Sequence, residues 1–405
     1  MSRSRRDATT AELEAATPIY AVWELTTRCD QPCQHCGTRA GTARPSEMSF
    51  AEVQETGRTL ARLGTREVTI IGGEAYLRAD VYDIVRFLHE LGLRVTMQTG
   101  GRALTEERIR RFKVAGLAAI GVLIDGNEAS HDQLRGNKGS HAAALAAVER
   151  ANAAGMIVTA NTQVNQLTKD ILWETSTMLR DRGVRAWQVQ LTVPMGNAAD
   201  HPELLLQPPE IVPVIDCLAA IQLDAVKNPR PWERPIPKGA FHIQPGNNIG
   251  YYGPHEQVLR SRPGGVERYW SGCNAGRGVI GIESDGTVKG CPSLPTGPYS
   301  GGKLTEIPLE QLWTQSPEVG FARERGTEDL WGFCQSCYYA EECKGGCSFT
   351  THTMLGRRGN NPWCYYRVTQ LRKKGVRERI VQVEQAGGER YDFGRFELRE
   401  EIIPG

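Results

Sequence analysis

Ten of the chain's eleven cysteines fall into two spaced sets, and any fold must bring the sulfurs of each set together. The first is Cys29-x3-Cys33-x2-Cys36, within Trp23-Glu-Leu-Thr-Thr-Arg-Cys29-Asp-Gln-Pro-Cys33-Gln-His-Cys36. The second is Cys273, Cys291, Cys334, Cys337, Cys343, Cys347 and Cys364. Three thiolates on a tight loop can hold three irons of a cubane and leave the fourth iron open. Seven more suffice for two further clusters. So dense a supply of soft ligands points to electron chemistry.

The remaining bounds are ordinary. A length of 405 residues suits two domains, and 40% hydrophobic residues can build a sizeable core. No run of about 18 apolar residues stands out, so no membrane span is expected. The start, Met1-Ser-Arg-Ser-Arg-Arg-Asp7, is basic but lacks the apolar core of a signal peptide. A cytoplasmic location is therefore expected, where thiols stay reduced and serve metals or catalysis. A net charge of +1 gives no case for nucleic acid or membrane partners.

From Ile19 to about Leu191, short apolar runs alternate with amphipathic segments. The runs Ile19–Leu25, Val68–Ile71, Val95–Gln98, Ala118–Ile124, Ile157–Val164 and Trp187–Leu191 have the length and branching of buried strands. Between them, Phe50–Leu63, Val81–Leu91, Glu106–Ala115, Ala142–Ala154 and Ile171–Arg182 have helical spacing, and each is followed at once by a glycine. Ser49 and Thr105 suit N-caps. A sixth helix, Pro208–Val226, ends the series. Six β-then-α units imply a parallel sheet with right-handed crossovers. They fall short of a closed barrel's eight, so the expected fold is α/β, an open partial (β/α)6 TIM-like barrel. Past Cys273, Val279–Glu283 and Thr287–Lys289 read as a β-hairpin around Ser284-Asp285-Gly286. The expected division is an N-terminal extension (1–18), barrel (19–226), Pro- and Gly-rich connector with one strand (227–268), loop-rich cysteine domain (269–370) and tail (371–405). The tail's charged stretch Gly375–Gly405 carries a weak helical pattern.

The first cysteine set directly follows the first strand, where parallel barrels carry their active sites. Gly72-Gly73-Glu74 ends the second strand. Leu123-Ile124-Asp125-Gly126, then His131-Asp132-Gln-Leu-Arg135-Gly136, follows the fourth. Alone, three cysteines could be part of a zinc site, although no fourth lies nearby, and two glycines could be an ordinary loop. Together these positions resemble the radical S-adenosylmethionine (SAM) superfamily. The resemblance implies a catalytic 4Fe-4S cluster on Cys29, Cys33 and Cys36, whose open iron binds SAM. Reductive cleavage of SAM then gives a 5′-deoxyadenosyl radical that abstracts hydrogen. It further implies Gly72, Gly73 and Glu74 at the SAM amino group, Asp125 beside SAM, Arg135 at its carboxylate and His35 against adenine. Two positions depart from the family: Leu123 stands where Ser is common, and His35 where an aromatic is common. Gln98, Asn161, Gln163, Gln188 and Gln190 are polar within apolar runs and should face the barrel interior, because buried amides need partners. Asn161 and Gln188 are candidate SAM contacts, with structural hydrogen bonding open for each.

The second set, with Gly286-x4-Cys291 and Cys334-x2-Cys337-x5-Cys343-x3-Cys347, is similar to the seven-cysteine pattern of SPASM domains. That similarity implies two auxiliary clusters, an outer one on Cys334, Cys337, Cys343 and Cys364 and an inner one on Cys273, Cys291 and Cys347. Three iron–sulfur clusters are thus implied, with 4Fe-4S centres expected for all. No cysteine lies between Asn274 and Ile280, so the inner cluster would have one iron open or closed by another group. Read alone, Cys334, Cys337, Cys343 and Cys347 would equally suit a four-cysteine zinc site. Cys217, inside the sixth helix, reads as a buried structural cysteine, the alternative being a hydrogen-atom donor facing the cavity. The stretch Phe241–His255 could line a substrate cavity or serve as a satisfied linker.

Radical SAM proteins with SPASM domains most often modify ribosomally made peptides (RiPPs). The resemblance extends to those maturases and to anaerobic sulfatase-maturating enzymes. It implies an oxidoreductase that installs an oxidative modification, a cross-link foremost, with an auxiliary cluster accepting the surplus electron. The partners implied are a precursor peptide, a separate leader-binding protein and an electron donor such as flavodoxin or ferredoxin. Only eighteen residues precede the first strand, too few for a leader-binding winged-helix domain. The alternative is dehydrogenation of a small alcohol or sugar-like substrate. A non-catalytic zinc or iron–sulfur module is disfavoured by Gly72-Gly73-Glu74 and the barrel pattern.

Overall fold

A computed structural model describes residue 6, residues 8–235 and residues 239–403; the basic start (residues 1–5 and 7) lies outside the described residues. Six strands follow the expected apolar runs: β1 (Tyr20–Glu24), β2 (Glu67–Ile71), β3 (Arg94–Thr99), β4 (Ala119–Leu123), β5 (Ile157–Val164) and β6 (Ala186–Leu191). Each pairs in parallel with the next. The connector's one strand, β7 (His242–Pro245), extends the sheet in parallel beyond β6. The expected hairpin forms from β8 (Val279–Ile282) and β9 (Thr287–Lys289), with β10 (Ser300–Lys303) antiparallel to β9.

One pairing was not expected. β8 lies parallel to β1, so the cysteine-rich region and the barrel share one ten-stranded sheet. The sheet runs from β10 to β7 without those edges meeting, which makes an open barrel. Alternation along β5 sends Val158, Ala160, Thr162 and Val164 toward the helices and Thr159, Asn161 and Gln163 into the lumen. The helix-side residues join one large apolar core with the crossover helices. At the strands' amino-terminal end, Arg6 stacks 4.3 Å over Tyr20 and donates to Glu67 Oε1 at 2.7 Å. Tyr20, Thr69 and Thr96 continue that polar floor through hydroxyl contacts of 2.9 and 2.7 Å.

The crossover helices are Phe50–Arg62, Val81–Glu90, Glu106–Val114, Ser140–Ala153 and Leu172–Asp181. Ser49 and Thr105 cap two of them through their hydroxyls. The five predicted stop glycines all adopt positive φ. A further helix, Glu128–Arg135, was missed; its signals were the Asn127 cap and left-handed Gly136. The sixth helix starts with a short turn, Pro208–Glu210, and continues as Ile211–Lys227. Contrary to the expectation that no such stretch exists, Pro202–Lys227 is apolar and long enough to cross a membrane, yet 56% of its apolar window is buried in this fold. It packs on β7 and on neighbouring helices.

The tail corrects another expectation. It forms not a helix but an antiparallel pair, β11 (Val376–Glu384) and β12 (Arg395–Ile402). Within the two strands Ile380 and Phe396 are the buried apolar residues, and Glu378 is buried against Arg367 at 2.7 Å. So sparse an alternation is masked by the charges around it.

Candidate active site

The first cysteine loop is closed on itself at its base. Thr26 and Thr27 both bind Glu47 Oε1 at 2.9 Å, while Cys29 N–H donates to Gly41 O and Gly41 N–H to Thr27 O. The loop sits at the carboxyl end of β1, over the lumen. Burial, the Glu74 charge and the neighbouring thiols push Cys29 up to about 12. Burial raises Cys33 to about 11 despite the opposing Arg135 charge. Cys36 acts on both as a third close thiol. Such thiols ionise only when a metal takes the proton's place.

Gly72 and Gly73 press the end of β2 against this loop. A Cβ on Gly73 would sit 2.3 Å from Arg28 O and 2.7 Å from Cys29 Cβ, so only glycine fits. The N–H groups of Gly73 and Glu74 donate to Thr26 O and Arg28 O, each at 2.8 Å. Glu74 is buried, accepting from Thr99 Oγ1 at 2.5 Å and Gly100 N–H at 2.6 Å. Burial outweighs those hydrogen bonds and lifts its carboxyl to about 8. A cation arriving beside it would favour its ionised form.

Asp125, Arg135 and His35 meet on the other side of the loop. Asp125 Oδ2 accepts from Arg135 Nη2 at 2.5 Å and lies 3.3 Å from His35 Nε2, while Oδ1 accepts from Gln163 N–H at 2.8 Å. Burial would raise this carboxyl, but the Arg135 charge, with the His35 ring beside it, wins and holds it far below the usual range. Arg135 Nη1 also reaches Cys33 Sγ at 3.7 Å. Asn161 and Gln188 are register partners on β5 and β6, in the same row as Leu123 and Gln244.

Several buried polar atoms around the lumen lack a partner among the described residues: His35 Nδ1, Gln98 Oε1, Arg135 Nε and Asn161 Oδ1. Native structures seldom leave such atoms bare without a ligand or water to meet them. His242 Nδ1, on β7, is a fifth such atom, and burial lowers that imidazole to about 4. Other residues of the stretch bind neighbouring backbone. Asn248 brackets the Leu191 backbone at 3.2 and 2.9 Å, and the Tyr251 hydroxyl accepts from Cys347 N–H at 3.1 Å.

The second set divides in two. Cys334, Cys337, Cys343 and Cys364 line one cavity of about 360 Å³ with Tyr251, Tyr252 and Tyr339. Cys347 turns away from them, and it and Cys291 each sense Cys273 electrostatically. Burial pushes Cys291 and Cys343 up to about 12 and Cys347 to about 11. The quartet cavity thus takes Cys364 and not Cys347, which removes the basis for a zinc site on Cys334, Cys337, Cys343 and Cys347. Among the described residues no three His, Cys, Asp or Glu groups converge closely enough to share one metal ion. A cubane makes no such demand, since each thiolate binds a different iron. The all-thiol donor sets and the bare polar atoms around the lumen fit iron–sulfur clusters and SAM. Cys217 is only half-buried, packed at the core's edge on the Ile211–Lys227 helix rather than deeply buried as expected.

Comparison with known proteins agrees with this geometry. Residues 23–175 match the radical SAM superfamily and residues 273–338 match SPASM, an iron–sulfur cluster-binding domain. An AdoMet-dependent heme synthase of Methanosarcina barkeri is 28% identical over 361 residues, covering 86% of this chain and 97% of that protein. Mycofactocin maturase MftC of Mycobacterium ulcerans is 28% identical over 362 residues, covering 86% of this chain and 88% of its own. The solved structure of anSMEcpe with bound AdoMet and Cp18Cys peptide superposes with a TM-score of 0.65 at 13% identity, covering 85% of this chain and 93% of that one. The two matched domains imply iron–sulfur clusters and SAM. The chain is therefore a radical SAM enzyme whose carboxyl-terminal region is a SPASM iron–sulfur domain.

Proposed function

We propose that this enzyme is a peptide maturase that oxidatively modifies a ribosomally made precursor, forming a cross-link. The observation that carries the reading is the separation of ten cysteines into a loop trio, a second trio and a quartet. Closing a new bond between two unactivated centres removes two hydrogens. One leaves as an atom; the other leaves as a proton and an electron, and that electron needs an acceptor.

In this reading Cys29, Cys33 and Cys36 hold the SAM-binding cluster. Glu74, Asp125, Arg135, His35, Asn161 and Gln188, with the Gly72-Gly73 backbone, surround SAM. Cys273, Cys291 and Cys347 hold the inner auxiliary cluster, and Cys334, Cys337, Cys343 and Cys364 the outer. When bound, the loop cluster and SAM supply one-electron reduction and hydrogen-atom abstraction. The chain's own part is to fix the loop against β2, keep Asp125 ionised between Arg135 and His35, and offer Glu74 to a cation. Residues 19–226 and 269–370 are the two working domains, and an external one-electron donor and a leader-binding protein complete the partners. The similarity to a maturase and to a fold that holds AdoMet together with a peptide supports a peptide substrate.

A second reading has its own support: the heme synthase relative is matched along 97% of its length, which favours a tetrapyrrole substrate. Anaerobic reconstitution with SAM, a low-potential reductant and either candidate precursor peptides or iron porphyrins, read by mass spectrometry, separates the two. A peptide lighter by two hydrogens supports the proposal. Turnover of the porphyrin alone overturns it.

A further inference from the structure

Arg325 is 4% exposed, yet among the described residues its Nε and Nη2 have no hydrogen-bond partner. Its Nη1 donates to Ser348 Oγ at 2.6 Å, directly after Cys347. The nearest carboxylate, Asp329, stays 4.0 Å from Nε and is already held by Arg358 Nε at 2.7 Å. Lys344 Nζ donates to Arg325 O at 2.7 Å and fixes the backbone beside the cysteine quartet. A guanidinium is always charged, and burying it without an anion is costly. Something negative therefore belongs beside those two nitrogens. Arg325 is thus tied to the residue that follows Cys343 of the quartet and to the residue that follows Cys347 of the inner trio. Of the two auxiliary sets, the quartet's four-thiolate cluster would carry the larger negative charge.

We propose that Arg325 is the counter-charge of the iron–sulfur cluster held by Cys334, Cys337, Cys343 and Cys364, and that its free N–H groups set that cluster's reduction potential. The inference rests on the two-cluster reading of the SPASM region. One-electron reduction adds one negative charge to the cluster and breaks no bond. A fixed cation at the edge of a low-dielectric site stabilises the reduced state more than the oxidised one. Arg325 thereby makes the quartet cluster a better acceptor for the electron that an oxidative modification releases.

The test is a redox titration of the anaerobically reconstituted full chain followed by electron paramagnetic resonance, with Arg325→Gln and Arg325→Lys beside the parent. Arg325→Gln should lower the quartet cluster's reduced-to-oxidised ratio at least tenfold at fixed ambient potential, about 59 mV for one electron. Arg325→Lys, which keeps the charge, should recover most of that shift, and the loop cluster on Cys29, Cys33 and Cys36 should not move. An Arg325→Gln protein with full iron content and an unmoved quartet potential overturns the inference. If Arg325→Gln loses the quartet's iron while Arg325→Lys keeps it, the charge is needed and the inference stands; iron loss in both marks Arg325 as packing and overturns it. A parent chain with only the loop cluster's iron would sink the two-cluster reading itself, a result distinct from an unmoved potential.

Discussion

Arg39 and Asp392 stand 353 residues apart and are joined by a 2.9 Å hydrogen bond from Nε to Oδ1. Arg39 lies just past Cys36, and its guanidinium also reaches Asn197 Oδ1 at 3.0 Å and Asp200 Oδ1 at 2.9 Å. The turn between β11 and β12 is thus strapped to the cysteine loop and to the segment after β6. Next to Asp392, Tyr391 donates to Glu24 Oε2 at 2.5 Å, at the carboxyl end of β1, with Lys289 Nζ 4.0 Å from its ring centroid. Arg39 and Tyr391 both hold positive φ, 50° and 58°. Such non-glycine conformations cost ~1–3 kcal/mol each and persist only where surrounding contacts enforce them.

Cutting the strap should therefore be felt at both ends. Asp392→Ala should lower stability by about 1.5–3 kcal/mol, the range for a hydrogen bond to a charged group. Because the two side chains act as one unit, Arg39→Ala with Asp392→Ala should cost clearly less than the two single losses added. Denaturant unfolding of the reconstituted protein gives the double-mutant cycle. Strict additivity would mean that the tail turn is held by its other contacts.

Glu74 should make SAM binding pH-dependent. Its folded pKa of about 8 lies above the ordinary 4.5, so the folded chain keeps a proton that the unfolded chain releases. The stability from this group is complete below pH 4.5, falls as pH rises, and is gone above about 8. An amine cation reverses the preference, so SAM binding should release a proton near neutral pH and tighten as pH rises toward 8. Calorimetry in buffers of different ionisation enthalpy measures that proton. In Glu74→Gln both the proton release and the acid-to-neutral decline in stability should disappear.

Asp125 shows the opposite sign. Its pKa is held below the ordinary 3.8, so the pair's stability is complete above that value and is lost as pH falls through the lower folded value. Asp125→Asn leaves the buried Arg135 guanidinium without its carboxylate, and breaking a buried pair from one side costs about 3–5 kcal/mol. Denaturation midpoints followed from neutral pH down through the acid range below 3.8 should show a lower and flatter profile for the variant. An unchanged profile would mean that Arg135 is neutralised by another group, with Cys33 the nearest choice.

The legible parts of this chain are those written in local periodicity. β1 to β6 and their helices follow from apolar spacing and stop glycines, because each element buries one face against a neighbour in sequence. The parallel pairing of β8 with β1 joins residues more than 250 positions apart, and nothing in either segment encodes the partner. Cysteine spacing alone grouped Cys347 with Cys334, Cys337 and Cys343, whereas the resemblance to SPASM domains implied Cys364, the thiol that lines the quartet cavity. Arg325 and Tyr391 carried no signal at all. A buried arginine looks like any surface arginine until its carboxylate is found 4.0 Å away and held by another arginine, and Tyr391 sits in a charged turn whose destination is set by Arg39.

Separating the roles of the cysteine groups gives the most direct test of the site. Cys33→Ala removes the buried central thiol of the loop, the one contacted by Arg135, and should abolish 5′-deoxyadenosine formation. Cys334→Ala removes one wall of the quartet cavity and leaves the loop, Glu74 and Asp125 untouched. That variant should retain most reductive SAM cleavage while losing product by at least tenfold, because the surplus electron has lost its acceptor. Liquid chromatography of 5′-deoxyadenosine and mass spectrometry of the product, run on the same reaction, give both rates. Equal loss of the two in Cys334→Ala would mean that the quartet supports the fold rather than the electron transfer. Retained cleavage in Cys33→Ala would remove the loop from the chemistry altogether.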